Sequence, residues 1–347
     1  KRRLAGDLLL RLKSRWAPGG LLHFGEGKLY PGEPLPRWAL RCYWRMGGQP
    51  IWRDESLFAD PRRTGNATTE DAQRFGRELA GRLGVNPDFV NYGYEDVMYY
   101  AWKERRLPLN VDIHDTKLED KEERARMARV FEQGITAPVG CMMPLRKVWW
   151  IPEPVWESGL WAVRSDEMFL IPGDSPMGLR LPLQSLLWYG GIKQDMMSYA
   201  TDPAAERAPL MEHEAIREQI AARTAAWAPK RQPVLVSGSS EGAWPGDGGA
   251  RHGMGPGGNG HSHDHPFAHG SAAAHAAYDN PAWVVRTALC IEPRNGVLHI
   301  FMPPLDRVED YLELVTAIED TTVALGTQVV IEGYLPPHDS RLDHIKV

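Results

Sequence analysis

Leu4, Leu8, Leu12 and Trp16 recur at every fourth position, which predicts an amphipathic helix over 2–16 with these four on its apolar side. Pro18-Gly19-Gly20 ends it. Apolar runs over 21–24 and 37–45 predict strands, and Gly47-Gly48 turns the chain back towards Ile51-Trp52. A second helix is expected over 70–83, with Thr69 as its N-cap and Gly84 just past its end. Two more are expected over 94–106 and 120–133, followed by a strand over 138–143. The Trp-rich stretch 144–192 is irregular, with a possible hairpin of 161–163 against 168–171, and a charged helix spans about 203–227. Regular patterning resumes at Trp283 and reads strand, turn, strand, helix, strand.

The helix of that last segment is the strongest local signal. Val308, Tyr311, Leu312, Val315, Ile318, Thr322 and Leu325 form one stripe, Asp306 and Glu309 suggest a capping box, and Gly326 follows the end. Before it, Asn295-Gly296 favours a two-residue type I′ turn, which fixes hairpin register. Arg294 then faces Val297, Glu292 faces His299 and Cys290 faces Phe301. Alternation puts Arg286, Ala288, Cys290 and Glu292 on one face. Ala288 and Cys290 are small, so that face is a reasonable floor for a ligand: Arg holds an anion, Glu a metal or a proton. The other reading is a solvated Glu–His pair on an open sheet. Pro293 demands an edge or a bulge at this point. Glu332 ends the apolar run 329–331 and is a second candidate carboxylate, and Lys346, flanked by Ile345 and Val347, is a third candidate.

Composition narrows the classes. The 347 residues suggest about two domains, and the formal charge of −5 removes a polybasic nucleic-acid or membrane surface as the main theme. The basic start of the chain reads as a solvated helix face. No apolar stretch approaches the ~20 residues of a membrane-spanning helix. The three cysteines, Cys42, Cys141 and Cys290, are too scattered for a disulfide framework or zinc site and point to a reduced, cytoplasmic protein. Cys141 and Cys290 lie in apolar runs and read as buried, inert thiols. Glycine and histidine crowd 232–280, which predicts a flexible insertion between an N-terminal part, 1–231, and a C-terminal part, 281–347. Within it, Gly255 to Gly260 spells G-x-G-x-x-G without the flanking strand and helix that a phosphate loop requires. His261, His263 and His265 alternate there, which could hold a soft divalent ion if the segment were ordered. The first residue, Lys1, and the strand-like end at Val347 suggest a piece of a longer polypeptide, inactive alone.

Several motifs stand out together: Ala17-Pro18-Gly19-Gly20-Leu21-Leu22-His23-Phe24-Gly25-Glu26-Gly27-Lys28, Tyr30-Pro31-Gly32-Glu33-Pro34-Leu35-Pro36-Arg37-Trp38, Ile171-Pro172-Gly173-Asp174-Ser175-Pro176-Met177-Gly178-Leu179-Arg180, Arg286 to Gly296, and Val330-Ile331-Glu332-Gly333-Tyr334. In these the chain resembles the bacterial amidoligase region that follows a transglutaminase-like domain in long two-part proteins, with relatives of glutamine-synthetase type. The resemblance implies an α+β fold with a curved, mostly antiparallel sheet and helices packed on one side. It implies a carboxylate–amine ligase that uses ATP and Mg²⁺ on an amino-acid or peptide substrate, with the transglutaminase-like domain as partner in the same polypeptide. Glu292 and Glu332 are then the expected metal carboxylates, and Arg286, Arg180, Lys346 and His299 the expected phosphate- or substrate-binding residues. The alternative is a non-catalytic module that positions peptide for the transglutaminase-like domain. A nucleotide-sized cleft at Glu292 favours the ligase; a closed sheet face with exposed Trp side chains favours the module.

Overall fold

The computed structural model describes residues 2–26, 38–60, 63–105, 137–148, 151–152, 154–161, 163, 167–172, 179–183, 186, 207–226 and 284–347. The helix expected over 120–133, the insertion over 232–280 with its glycine and histidine motifs, and Trp149, Trp150 and Trp188 lie outside the described residues.

The fold is α+β, with no closed barrel among the described residues. Its main sheet has seven strands in the order β11-β10-β9-β4-β3-β7-β8. These are β3 (Asn91–Glu95), β4 (Gly140–Pro144), β7 (Met168–Pro172), β8 (Leu179–Arg180), β9 (Ala288–Arg294), β10 (Val297–Met302) and β11 (Val329–Gly333). Pairing is parallel at β10–β11 and β3–β7 and antiparallel elsewhere in this sheet. A second sheet joins β1 (Leu21–Glu26), β2 (Trp38–Arg45) and β12 (Leu342–Lys346), all antiparallel, and β1 runs beside β11. A small ribbon pairs β5 (Arg146–Val148) with β6 (Val155–Glu157).

Alternation along the strands sorts the side chains. On one face, Leu289, Ile291, Leu298, Ile300, Met302, Val329 and Ile331 join α2 (Thr69–Leu83), α4 (His213–Ala226) and α5 (Val308–Leu325) in the main core. On the other, Met142, Ala288 and Cys290 pack under Trp161, Met168, Leu170 and Leu186, which closes that half of the face. The rest of the face, towards Arg294, carries charge.

The local structure departs from sequence expectation at several points, each for a physical reason. α1 (Arg2–Trp16) forms as expected, but Leu4 (68% exposed), Leu8 (48%) and Trp16 (58%) point outwards. Its buried side carries Leu9 and Lys13, which is 2% exposed and paired with Glu55. Three neighbouring leucines, Leu8, Leu9 and Leu10, let the helix turn either way, and packing on Leu22, Leu40 and Cys42 decides. The basic start is therefore not wholly a solvated face. α2 is capped one residue earlier than expected: Thr68 and Asp71 form the reciprocal box, and Gly84 closes the helix at φ +72°. The stretch expected as helix from 94 begins as β3, because Asn91 to Gly93 pair with β4, and α3 (Val97–Glu104) follows. Residues 168–172 pair with β3 and β8 rather than with 161–163; Trp161 instead donates its indole N–H to the Val285 carbonyl at 2.7 Å. The N-cap of α5 is Arg307, which makes no side-chain cap bond, and the Glu309 carboxylate is taken by Arg341. Its buried surface extends well beyond one stripe, to Asp310, Leu314, Thr316, Ala317 and Glu319. Among the described residues no helix is long and apolar enough to cross a membrane.

Candidate functional site

The β9–β10 turn has both central residues at positive φ, Asn295 at 51° and Gly296 at 71°, as a type I′ turn requires. The register that follows pairs Val297 with Arg294, His299 with Glu292 and Phe301 with Cys290, the pairs read from the sequence. Pro293 lies where β4 no longer pairs with β9, since that pairing stops at Ile291, so its missing N–H breaks no ladder there. Beyond β10, the α5 crossover returns the chain as a parallel strand, and Glu332 comes to lie opposite Phe301. Glu292, Arg294, His299 and Glu332 thus share the face opposite α2, α4 and α5.

Their side chains meet. Arg294 reaches Glu292 with Nε at 3.2 Å from Oε2, and its Nη2 is bonded to the Glu332 carboxylate. His299 Nδ1 lies 3.4 Å from Glu332 Oε2. Glu292, His299 and Glu332 are all buried, so the solvated Glu–His pair does not describe them. Glu332 is held to the guanidinium by a charge-assisted hydrogen bond and Glu292 by charge alone. Among the described residues no three His, Cys, Asp or Glu side chains converge as a metal site. The pair Glu292 and Glu332 suits an ion that brings its own oxygen ligands, such as Mg²⁺ on a phosphate, rather than a resident metal cage.

The other sequence candidates are placed elsewhere. Arg286 precedes β9, and its guanidinium bonds the Leu183 carbonyl at 3.1 Å, at the closed end of the face. Arg180 lies in β8, at the opposite edge of the sheet from β11. Lys346 is exposed on β12, opposite Arg41 on β2.

Two residues were not singled out by sequence reasoning. Arg294 is one, although the alternation that groups Arg286, Ala288, Cys290 and Glu292 extends to it by one more step. The other is His23 on β1, opposite Arg41 and fully buried, with neither ring nitrogen in a hydrogen bond of ordinary geometry. Burial pushes its pKa down to about 4, against the pull of the Glu332 charge, with the Arg41 charge lowering it further. No local sequence signal marks it beyond the strand alternation that faces it inwards.

The cysteines are poor nucleophiles. Cys290 is buried and its pKa is pushed up to about 12, chiefly by burial and then by the Glu292 and Glu332 charges. Cys42 is pushed up to about 11, mostly by burial, and Cys141 higher still.

Beside Arg294 and His299 a cavity of about 580 Å³ opens between α1, β1–β2 and residues 58–60. Leu9, Leu22, Phe24, Leu40 and Phe58 form its apolar wall. Its size is that of an ordinary small-molecule site.

A family model described as "Putative amidoligase enzyme (DUF2126)" matches residues 1–347. No curated protein matches the chain, and no solved structure does.

Proposed function

Because the chain belongs to this amidoligase family over its whole length, we propose that it joins a carboxylate to an amine at the expense of ATP, with Glu292, Arg294, His299 and Glu332 at the reacting centre. The observation that carries this reading is the Arg294 guanidinium set between two buried carboxylates beside the cavity. Amide formation needs a cation where phosphoryl charge develops, a carboxylate for the accompanying ion, and a base for the amine proton.

The chain offers each. Bound ATP and Mg²⁺ would supply the phosphoryl group that activates the substrate carboxylate. Glu292 and Glu332 would hold the ion through one or two carboxylate oxygens. Arg294, released from them, turns its fork to the transferred phosphoryl oxygens. His299 lies against Glu332 through Nδ1 and would take the proton that the attacking amine gives up, its positive charge then facing that carboxylate. The alternative module reading draws on the half of the face that packing closes; of the Trp-rich stretch, the described Trp156 and Trp161 are buried, while Trp16 and Trp102 elsewhere are exposed.

The test is ADP release by the purified protein with pairs of carboxylates and amines. ADP should appear only when both partners are present, in step with the amide formed. ADP release that ignores the amine, or amide formation without ATP, overturns the reading.

A further inference from the structure

Gly6 sits in the interior of α1, where glycine costs about 1 kcal/mol relative to alanine. It lines the cavity, and a Cβ added there would meet only the Leu40 Cδ1, at 3.8 Å. Arg3, Leu9, Leu10 and Lys13 of the same helix also line the space, and at Gly6 the helix forgoes stability where a further side chain would enter it. Leu9 of the same helix and Leu22, Phe24, Leu40 and Phe58 from outside it make the apolar part of the lining. Lys13 reaches the wall too, but its charge is taken by Glu55. Arg294 stands at the end nearest the carboxylates, and Asp60 also lines the cavity.

We propose that this cavity is the subsite for the apolar side chain of an amino acid or peptide terminus whose carboxylate is received by Arg294. The assignment rests on the ligase reading for which end of the substrate reacts. An apolar body fills the wall, the substrate carboxylate displaces that of Glu332 on the Arg294 guanidinium before phosphoryl transfer, and Asp60, which lies 3.9 Å from Arg63, is on the lining where an α-ammonium would come. Arg3, Glu55 and Asn295 also line the space, so the preference for an apolar side chain rests on the extent of the leucine and phenylalanine wall.

The experiment is calorimetric titration without nucleotide, using N-acetyl-L-phenylalanine and N-acetyl-L-aspartate as probes. The first should bind at least about tenfold more tightly, the yield of burying a phenyl ring. Gly6→Leu, which fills the cavity, should lose about tenfold in affinity for N-acetyl-L-phenylalanine while melting no lower than wild type. Gly6→Ala should keep the affinity and melt higher. If Gly6→Leu fails to fold, Gly6→Met carries the same test with an adaptable side chain. Equal binding of the two probes, or undiminished binding in the filled variant, overturns the proposal. Absence of ATP-dependent amide formation would leave this binding result standing and remove only the ligase reading.

Discussion

Gly65 and Gly296 hold their backbones against each other at the tip of the β9–β10 hairpin. The Gly65 N–H donates to the Asn295 carbonyl at 2.9 Å and the Ala67 N–H to the Gly296 carbonyl at 2.8 Å. A Cβ on either glycine would overlap the other's carbonyl oxygen, and Gly296 is in the left-handed region at φ +71°. This contact anchors the strand end from which Arg294 reaches both carboxylates. Gly296→Ala combines strain with overlap and should cost about 2–3 kcal/mol in urea unfolding. A loss below about 0.5 kcal/mol would show that the tip adapts freely.

Lys13 is buried and Glu55 is its counter-charge. Removing the acid leaves an ammonium in an apolar wall; removing the ammonium leaves a half-exposed carboxylate in reach of water. Glu55→Ala should therefore destabilise by about 2–4 kcal/mol, and Lys13→Met by less than about 1 kcal/mol. Chemical denaturation of the two variants decides. Equal losses would mean that the Lys13 head reaches solvent when its partner is gone.

His23 ties stability to pH. Its folded pKa, about 4, lies below the ordinary value of 6.5, so the unfolded chain takes up the proton first. The contribution is complete above pH 6.5 and is lost as pH falls from there through 4, about 2 kcal/mol of it by pH 5. The charged neighbours that face the ring are Glu332 and Arg41. Measured against His23→Gln, the wild-type advantage should shrink by about 2 kcal/mol between pH 7 and pH 5. A difference that does not vary with pH would mean that the ring is solvated enough to protonate in place.

What was legible in the sequence was local. Asn295-Gly296 and period-2 alternation placed Glu292 against His299, because a two-residue turn leaves one register. The 3.6-residue stripe located α5, although its cap was misread, since Glu309 is taken by an arginine 32 residues away. What was not legible depended on distant partners. β3 contains Gly93 and little apolar alternation, and it is a strand because β4 and β7 flank it. The face of α1 was settled by the β1–β2 surface beneath it. Glu332 was suspected from its place at a strand end, but only the parallel return of β11 brings it to Arg294 and His299. Alternation put Arg286 on the Glu292 face; what it did not show is that the guanidinium bonds the Leu183 carbonyl, beside the cluster that covers Ala288 and Cys290.

The central claim is that the buried carboxylates on Arg294 belong to an amide-forming centre. The most direct measurement is the rate of ATP-dependent amide formation by Glu332→Gln beside wild type, with the melting temperature taken on the same samples. The amide keeps the side chain's shape and a hydrogen bond to Arg294, so melting should stay within about 5 °C. The rate should fall by about a hundredfold or more, because a neutral amide neither holds a hard cation nor stabilises a charged His299. A Glu332→Gln rate within about threefold of wild type, with the fold intact, would contradict the account, since a group of the reacting centre is worth far more than that.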